Sequence, residues 1–304
     1  HPDERAILFH VIDMEIPPLK ALAVIFDPVE SPLNPQWFPY GTLPLYAVKI
    51  CQWIIEFFIT LDFYDLRFVG RVISSFADIG TIFFVFLLAK KLFSRKVGIL
   101  ASLFVSLSVI HIQLSHFYAV DTYLTFFITG SLYFMARVMR EGGSRNSMLA
   151  GAFIGLGLAS KVSILPIYLP LFFAHFVYAY SEPAKEYNSR RYVINMAIRN
   201  TLFAIIISLA LFFVTTPYAF IDWSRSNPCD IPIDILEFLG RNYFACDVGA
   251  QYDMARGTSG LPFTQQYIGS SPYWYQIKQL ALFGLGLPLG IVAWISLLFT
   301  IYIS

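Results

Sequence analysis

The stretch 72–92, VISSFADIGTIFFVFLLAKKL, decides the fold. It is apolar almost throughout, lacks proline, and closes on Lys90-Lys91. A helix rising ~1.5 Å per residue needs roughly 20 residues to cross a ~30 Å hydrocarbon layer. Lipid satisfies no backbone donor or acceptor, so such a segment must be helical. The whole chain agrees with this stretch. Of its 304 residues 57% are hydrophobic and 13% charged, about half the charge of a soluble domain. Working outward, further spans are expected at 97–115, 121–139, 147–160, 162–180, 199–217 and 280–304, in an all-α polytopic membrane protein. Residues 41–60 are apolar too, but carry Lys49 and Glu56, which lipid tolerates poorly. They are read as a juxtamembrane helix lying half inserted on the outer surface, the alternative being an eighth span.

Charge sets the topology. Basic residues gather at 90–96, 137–145 and 185–199, which together hold 11 of the chain's 21. The positive-inside rule places these loops in the cytoplasm. Residues 1–69, 115–121 and the long loop 218–279 then lie outside, with most of the acids. This domain plan has an external loop at 1–69, a helical region at 70–217, an external loop at 218–279 and a last span at 280–304. The chain begins without Met inside what reads as an external loop, so a processed signal or an upstream helix is expected. The net charge is +1 with no basic cluster on the external side, which excludes nucleic acid as a partner.

Several motifs stand at the expected outer ends of the helices. His1-Pro2-Asp3-Glu4 is followed by Asn34-Pro35 and by Pro39-Tyr40-Gly41-Thr42-Leu43-Pro44-Leu45-Tyr46. Gly70-Arg71 opens the first span, Ser115-His116-Phe117-Tyr118-Ala119-Val120-Asp121 leads into the third, and Ala159-Ser160-Lys161 sits between two helices. Thr216-Pro217-Tyr218 closes the sixth, and Gln266-Tyr267-Ile268-Gly269 and Ser271-Pro272-Tyr273 precede the last. This ordered set resembles the family-39 glycosyltransferases of the GT-C superfamily, which include protein O-mannosyltransferases and the bacterial aminoarabinose transferase that modifies lipid A. The resemblance implies a GT-C-like helical bundle with an external acidic loop and a juxtamembrane helix, with further helices beyond residue 304. It implies sugar transfer from a polyprenyl-phosphate donor to a lipid, glycan or protein acceptor, on the extracytoplasmic face of a bacterial plasma membrane. The absence of a glycine-rich phosphate loop agrees with a lipid-linked rather than a nucleotide donor.

That reaction needs a base for the acceptor hydroxyl, positive groups for the departing phosphate, and a groove for the lipid. Asp3 is the expected base, with Glu4 supporting it or orienting the acceptor. The plain alternative for both is an acidic turn or a helix cap. Asp121 is expected beside them, the alternative again being a cap. Asp3 and Asp121 offer oxygen ligands and His116 a nitrogen ligand to a divalent cation, although members of the family differ on metal and no dense ligand motif occurs here. His111 and His116 also read as polar caps at the outer face. Lys161 follows a segment too short to span, so its charge is expected below the outer headgroups, where a phosphate is a welcome partner; snorkelling to the surface is the alternative. Arg5, Arg71, Arg241 and Arg256 are further phosphate candidates. The aminoarabinose transferase carries a first-loop Lys that Phe38-Pro39-Tyr40-Gly41 lacks, which argues against that sugar. Gly151 and Gly155 form a GxxxG pattern expected to pack two helices closely, and Cys229 and Cys246 share the external loop where a disulfide is permitted. The competing reading is a non-catalytic GT-C-like scaffold subunit with a membrane-complex partner.

Overall fold

The computed structural model describes residues 2–181, 190–223, 242–256, 269–271 and 273–303. Helix α1 (Pro2–Asp13) is amphipathic and is followed by a loop with a 3-10 segment at Leu19–Phe26. Helix α2 spans Leu43–Ile55, inside the stretch expected to lie along the membrane. Helix α3 (Phe63–Leu92) starts well before the expected span at 72–92. A capping box explains the early start: Asp62 accepts from the Asp65 backbone N–H while Asp65 accepts from that of Asp62, satisfying donors that the first turn leaves open.

The expected span 97–115 is broken. It forms α4 (Arg95–Ser106) and α5 (Val109–Ser115), bent by 61°. Ser108 takes an extended conformation at the break, and its hydroxyl donates to the Gly284 carbonyl at 3.3 Å. Helices α6 (Val120–Glu141) and α7 (Ser144–Leu158) follow. The expected span 162–180 opens as a 3-10 turn at Val162–Ile167 and continues as α8 (Tyr168–Ala179). Helix α9 runs Arg190–Thr215, α10 Tyr218–Ile221 and α11 Tyr243–Arg256. The expected last span at 280–304 begins late. Helix α12 (Trp274–Gln279) passes into a π-turn at Leu280–Gly284, and α13 (Leu287–Ile303) starts after Gly286, whose φ of 81° breaks the helix.

Among the described residues, three helices are individually long and apolar enough to cross a membrane, or four with the bent pair taken as one. Helix α7, with 15 residues, is too short for that measure, and α6 is not apolar enough. Each buries small and polar residues against neighbours, such as Gly130 and Ser131 in α6 and Asn146, Ser147 and Gly151 in α7. The GxxxG pair lies against α9: a Cβ on Gly151 would strike the Ala204 carbonyl, and one on Gly155 that of Ser208. Backbones in such close approach gain packing that lipid cannot supply.

Helix α1 is fixed to the bundle by its buried stripe. Ile7, Leu8 and Val11 pack with Met14 onto Leu45, Val48, Leu66 and Tyr118. Each such side chain contributes roughly 1.5–3 kcal/mol on burial. The stripe orients the start of the helix. Glu4 lies one turn from Ile7 and Leu8 on the buried face, Asp3 at its edge, and Arg5 on the exposed face.

Candidate active site

Two short backbone segments build the centre of the site. The 39–43 turn docks onto the 159–161 break: Gly41 N–H donates to Ser160 O at 3.0 Å and Leu43 N–H to Ala159 O at 3.1 Å. Gly41 is required because any Cβ there would run into the Ala159 carbonyl. Lys161 is extended (φ −159°, ψ 127°), so it leaves the end of α7 without continuing it. The docking places the Lys161 ammonium over the Tyr40 ring, 5.6 Å from its centroid.

Asp121, in the first turn of α6, accepts from Lys161 Nζ at 3.0 Å. Its side chain is 45% exposed, so the pair is open on one side. Asp3 lies within electrostatic reach of both. Burial and then the Asp121 charge push the Asp3 carboxyl above its ordinary value, with Lys161 opposing. Burial together with Asp3 and Asp121 also holds the Tyr40 phenol in its neutral form, well above its ordinary value. Three residues from widely separated positions, Asp3, Asp121 and Lys161, therefore form one cluster with two acids and one base. Tyr40 completes it, and the sequence reading missed it as a site residue; its place in the turn beside the obligatory Gly41 was the available signal.

Other candidates go elsewhere. Glu4 is buried (1% exposed) and grips Arg71 through two hydrogen bonds, at 2.7 and 3.0 Å. It ties α1 to α3 rather than facing the cluster, and Arg71, expected as a phosphate ligand, is committed to it and to the Phe117 ring. His116 is exposed and its Nδ1 lies 2.5 Å from Ile112 O of its own turn, at the end of α5. His111 is not a surface cap: its Nδ1 is 2.5 Å from Asp78 Oδ1. That pair and Asp121 line a small cleft of about 70 Å³ with Ile110 and Leu114. Arg5 is exposed on α1. Arg241 and the Arg256 side chain lie outside the described residues. Among the described residues no group of three His, Cys, Asp or Glu side chains is placed to hold a metal ion. Cys246 is disulfide-bonded; Cys229, its expected partner, lies outside the described residues, and Cys51 is free.

The remaining motifs fasten the outer loops. Asn34 donates to Asp222 Oδ2 at 2.7 Å and to Pro28 O at 2.8 Å. The Tyr218 hydroxyl pairs with Ser31 Oγ at 2.5 Å, and Thr42 donates to Thr215 O at 2.6 Å. Asp247 of α11 accepts from the Phe38 backbone N–H at 2.5 Å. Helix α11 is thereby held over the cluster.

Three cavities adjoin one another there. The first, about 430 Å³, is lined by Tyr40, Lys161, Ser163, Gln251 and Tyr252 among others. It shares Val162 with a second of about 480 Å³, lined by apolar residues such as Leu165, Leu209 and Phe244 together with Tyr168. That one shares Phe172 and Ile205 with a third of about 340 Å³ between α8 and α9. The cavity that holds Lys161 thus shares a wall with an apolar groove along α8 and α9.

A search of the curated proteins finds no match for this chain. Among solved structures it is similar to the oligosaccharyltransferase of Archaeoglobus fulgidus. The likeness to its complex with zinc and sulfate has a TM-score of 0.46 at 19% identity, covering 87% of this chain and 31% of that one. The likeness to the same enzyme tethered by a disulfide to an acceptor peptide with an NVT sequon has a TM-score of 0.45 at 18% identity, covering 88% and 31%. This chain therefore spans under a third of the length of those structures. The family model described as dolichyl-phosphate-mannose-protein mannosyltransferase matches residues 50–214, over half of the chain. With its long apolar helices, this makes the chain an integral membrane protein that belongs to the dolichyl-phosphate-mannose-protein mannosyltransferase family.

Proposed function

We propose that the chain carries the catalytic centre of a glycosyltransferase that moves a sugar from a polyprenyl-phosphate donor to an acceptor on the extracytoplasmic side. The observation that carries this reading is the run of cavities from Lys161 and Tyr40 into the apolar groove between α8 and α9. An amphiphile with an anionic head and a long hydrocarbon tail fits that sequence of environments. A sugar nucleotide would leave the groove empty.

In this reading the donor phosphate sits at Lys161 and the sugar lies towards Asp3. The acceptor hydroxyl attacks the anomeric carbon. The bond from that carbon to the phosphate oxygen breaks, and its electron pair leaves on the phosphate. The acceptor proton passes to the Asp3 carboxylate. Burial and the neighbouring Asp121 raise the proton affinity of Asp3, which suits a base that must capture a proton in the transition state. Lys161 stabilises the charge that develops on the leaving phosphate. Asp121 holds Lys161 at 3.0 Å until the anion arrives, and Glu4 with Arg71 positions the helix that bears Asp3.

The test is transfer from purified polyprenyl-phosphate sugars to a membrane and protein extract, using the full-length protein. Asp3→Asn should retain the fold and lose roughly 10²–10⁴ in rate, the typical contribution of a general base. Wild-type activity matched by Asp3→Asn would remove Asp3 from that role. A full-length protein that binds the donor yet transfers from none would favour the scaffold reading.

A further inference from the structure

Helix α3 carries an acid in its middle. Asp78 is buried, in a helix apolar enough to cross a membrane. An ionisable group in that place is costly and needs a partner. The partner comes from the first turn of α5, just after the 61° break: His111 Nδ1 lies 2.5 Å from Asp78 Oδ1. Apolar side chains of similar size would hold α5 against α3 without the desolvation penalty, so the pair calls for a use beyond packing. With Asp78 ionised, the Nδ1 proton points to the carboxylate and Nε2 is left as the acceptor of the ring. No described residue bonds Nε2.

The pair shares its cleft of about 70 Å³ with Asp121, Thr122 and Thr125. A water needs roughly 10–15 Å³ of such space and about two to four polar partners, and the cleft offers both. The two threonine hydroxyls donate to the Ala119 and Asp121 carbonyls, at 2.8 and 2.7 Å, which leaves their lone pairs to accept. Of the elements packed against α5, α3 brings Asp78 and α6 brings Asp121 to the cleft. The turn at Leu280–Gly284 has no titratable group, Arg95 and Lys96 stand at the far end of α4, and Arg71 is held by Glu4. Asp121 in turn holds Lys161 and acts on Asp3. Groups able to pass a proton thus run from the site into the bundle: Asp3, Asp121, a cleft with room for water, His111 and Asp78.

Building on the transfer reading above, we infer that the Asp78–His111 pair is a proton store for the site, filled and emptied once per turnover. Asp3 gains a proton when the acceptor O–H bond breaks. That proton moves through water beside Asp121 to His111 Nε2. Asp3 is then a carboxylate again, and the imidazolium is paired with the Asp78 carboxylate. The imidazolium also offsets the negative charge gained by the leaving phosphate. As polyprenyl phosphate departs, the proton returns along the same water to the phosphate monoester, and His111 is neutral for the next cycle. No other reactant is consumed.

The experiment uses the full-length protein in lipid nanodiscs, polyprenyl-phosphate mannose as donor and the acceptor extract. Enzyme in excess over donor reads a single transfer; donor in excess reads repeated turnover. His111→Gln can still donate to Asp78 but cannot take up a proton. It should slow repeated turnover about a hundredfold, the low end of what a positioned proton acceptor contributes, and slow the single transfer far less. His111→Ala should show the same split, and added imidazole should restore its repeated turnover. Wild-type repeated turnover in His111→Gln would overturn the inference. So would equal slowing of both rates with no rescue of His111→Ala by imidazole, which is what a packing role gives. Either result leaves the transfer reading in place, whereas a wild type that transfers no sugar ends both.

Discussion

Two clusters of three charges stand at opposite ends of α6. At its start, Asp121 pairs with Lys161 and Asp3 lies close by, giving two acids and one base. At its end, Glu141 pairs with Lys91 and with Arg137, giving two bases and one acid. The second cluster is solvated, and its surplus positive charge is screened by water. In the first, Lys161 borders a cavity, and burial first and the Asp121 charge second raise the proton affinity of Asp3. The lesson lies in the difference: both ends carry one unmatched charge, but only at the start of α6 does it fall on a half-buried group, Asp3, whose proton affinity then rises.

The largest expected effect that would break this comparison is on transfer. Asp3→Asn should cost roughly 10²–10⁴ in rate, whereas Glu141→Gln should leave the rate of the same purified enzyme within about twofold. Stability comes next. Glu4→Ala removes the two hydrogen bonds that hold Arg71, and a hydrogen bond to a charged group is worth about 1.5–3 kcal/mol. Arg71 is 28% exposed, so the lower end is expected, read as a fall in the thermal midpoint in detergent.

A pH profile sharpens the comparison. The rate should fall as pH drops through an Asp3 value raised above 3.8. Asp121→Asn removes a charge that raises this value, so it should move the acid limb to lower pH; an unmoved limb would separate the two carboxylates. The same shift has a stability cost. A carboxyl whose folded value is raised contributes stability below its unfolded value and loses it as pH rises through the folded one. Asp3→Asn should therefore be slightly more stable than wild type at neutral pH while being inactive. Smallest of all, Glu141→Gln should change stability by under about 1 kcal/mol.

Much of the fold was legible because lipid imposes long apolar helices, and the apolar runs mark α3 and α9 without ambiguity. The break at Ser108 was not, because an apolar run says nothing about where a distant carbonyl, here that of Gly284, will accept from a mid-run hydroxyl. The late start of α13 escaped for a similar reason: Gly286 sits within a continuous apolar stretch. In the site, the family resemblance of the motifs at 1–4 and 115–121 suggested Asp3 and Asp121, and the short apolar segment before it suggested Lys161. Glu4 could not be told from Asp3 in the sequence, since one residue step of about 100° separates the buried face of α1 from its edge. His116 and His111 exchanged their expected prominence because side-chain partners depend on the neighbouring helix, not on spacing within their own.

The account rests on Lys161 as the seat of the donor phosphate. The structure of the full-length protein with bound polyprenyl phosphate tests it most directly. The account predicts a phosphate oxygen within hydrogen-bonding distance of Lys161 Nζ and a tail lying between α8 and α9 past Leu165 and Phe172. A phosphate bound away from Lys161, or a tail leaving along another pair of helices, would contradict it.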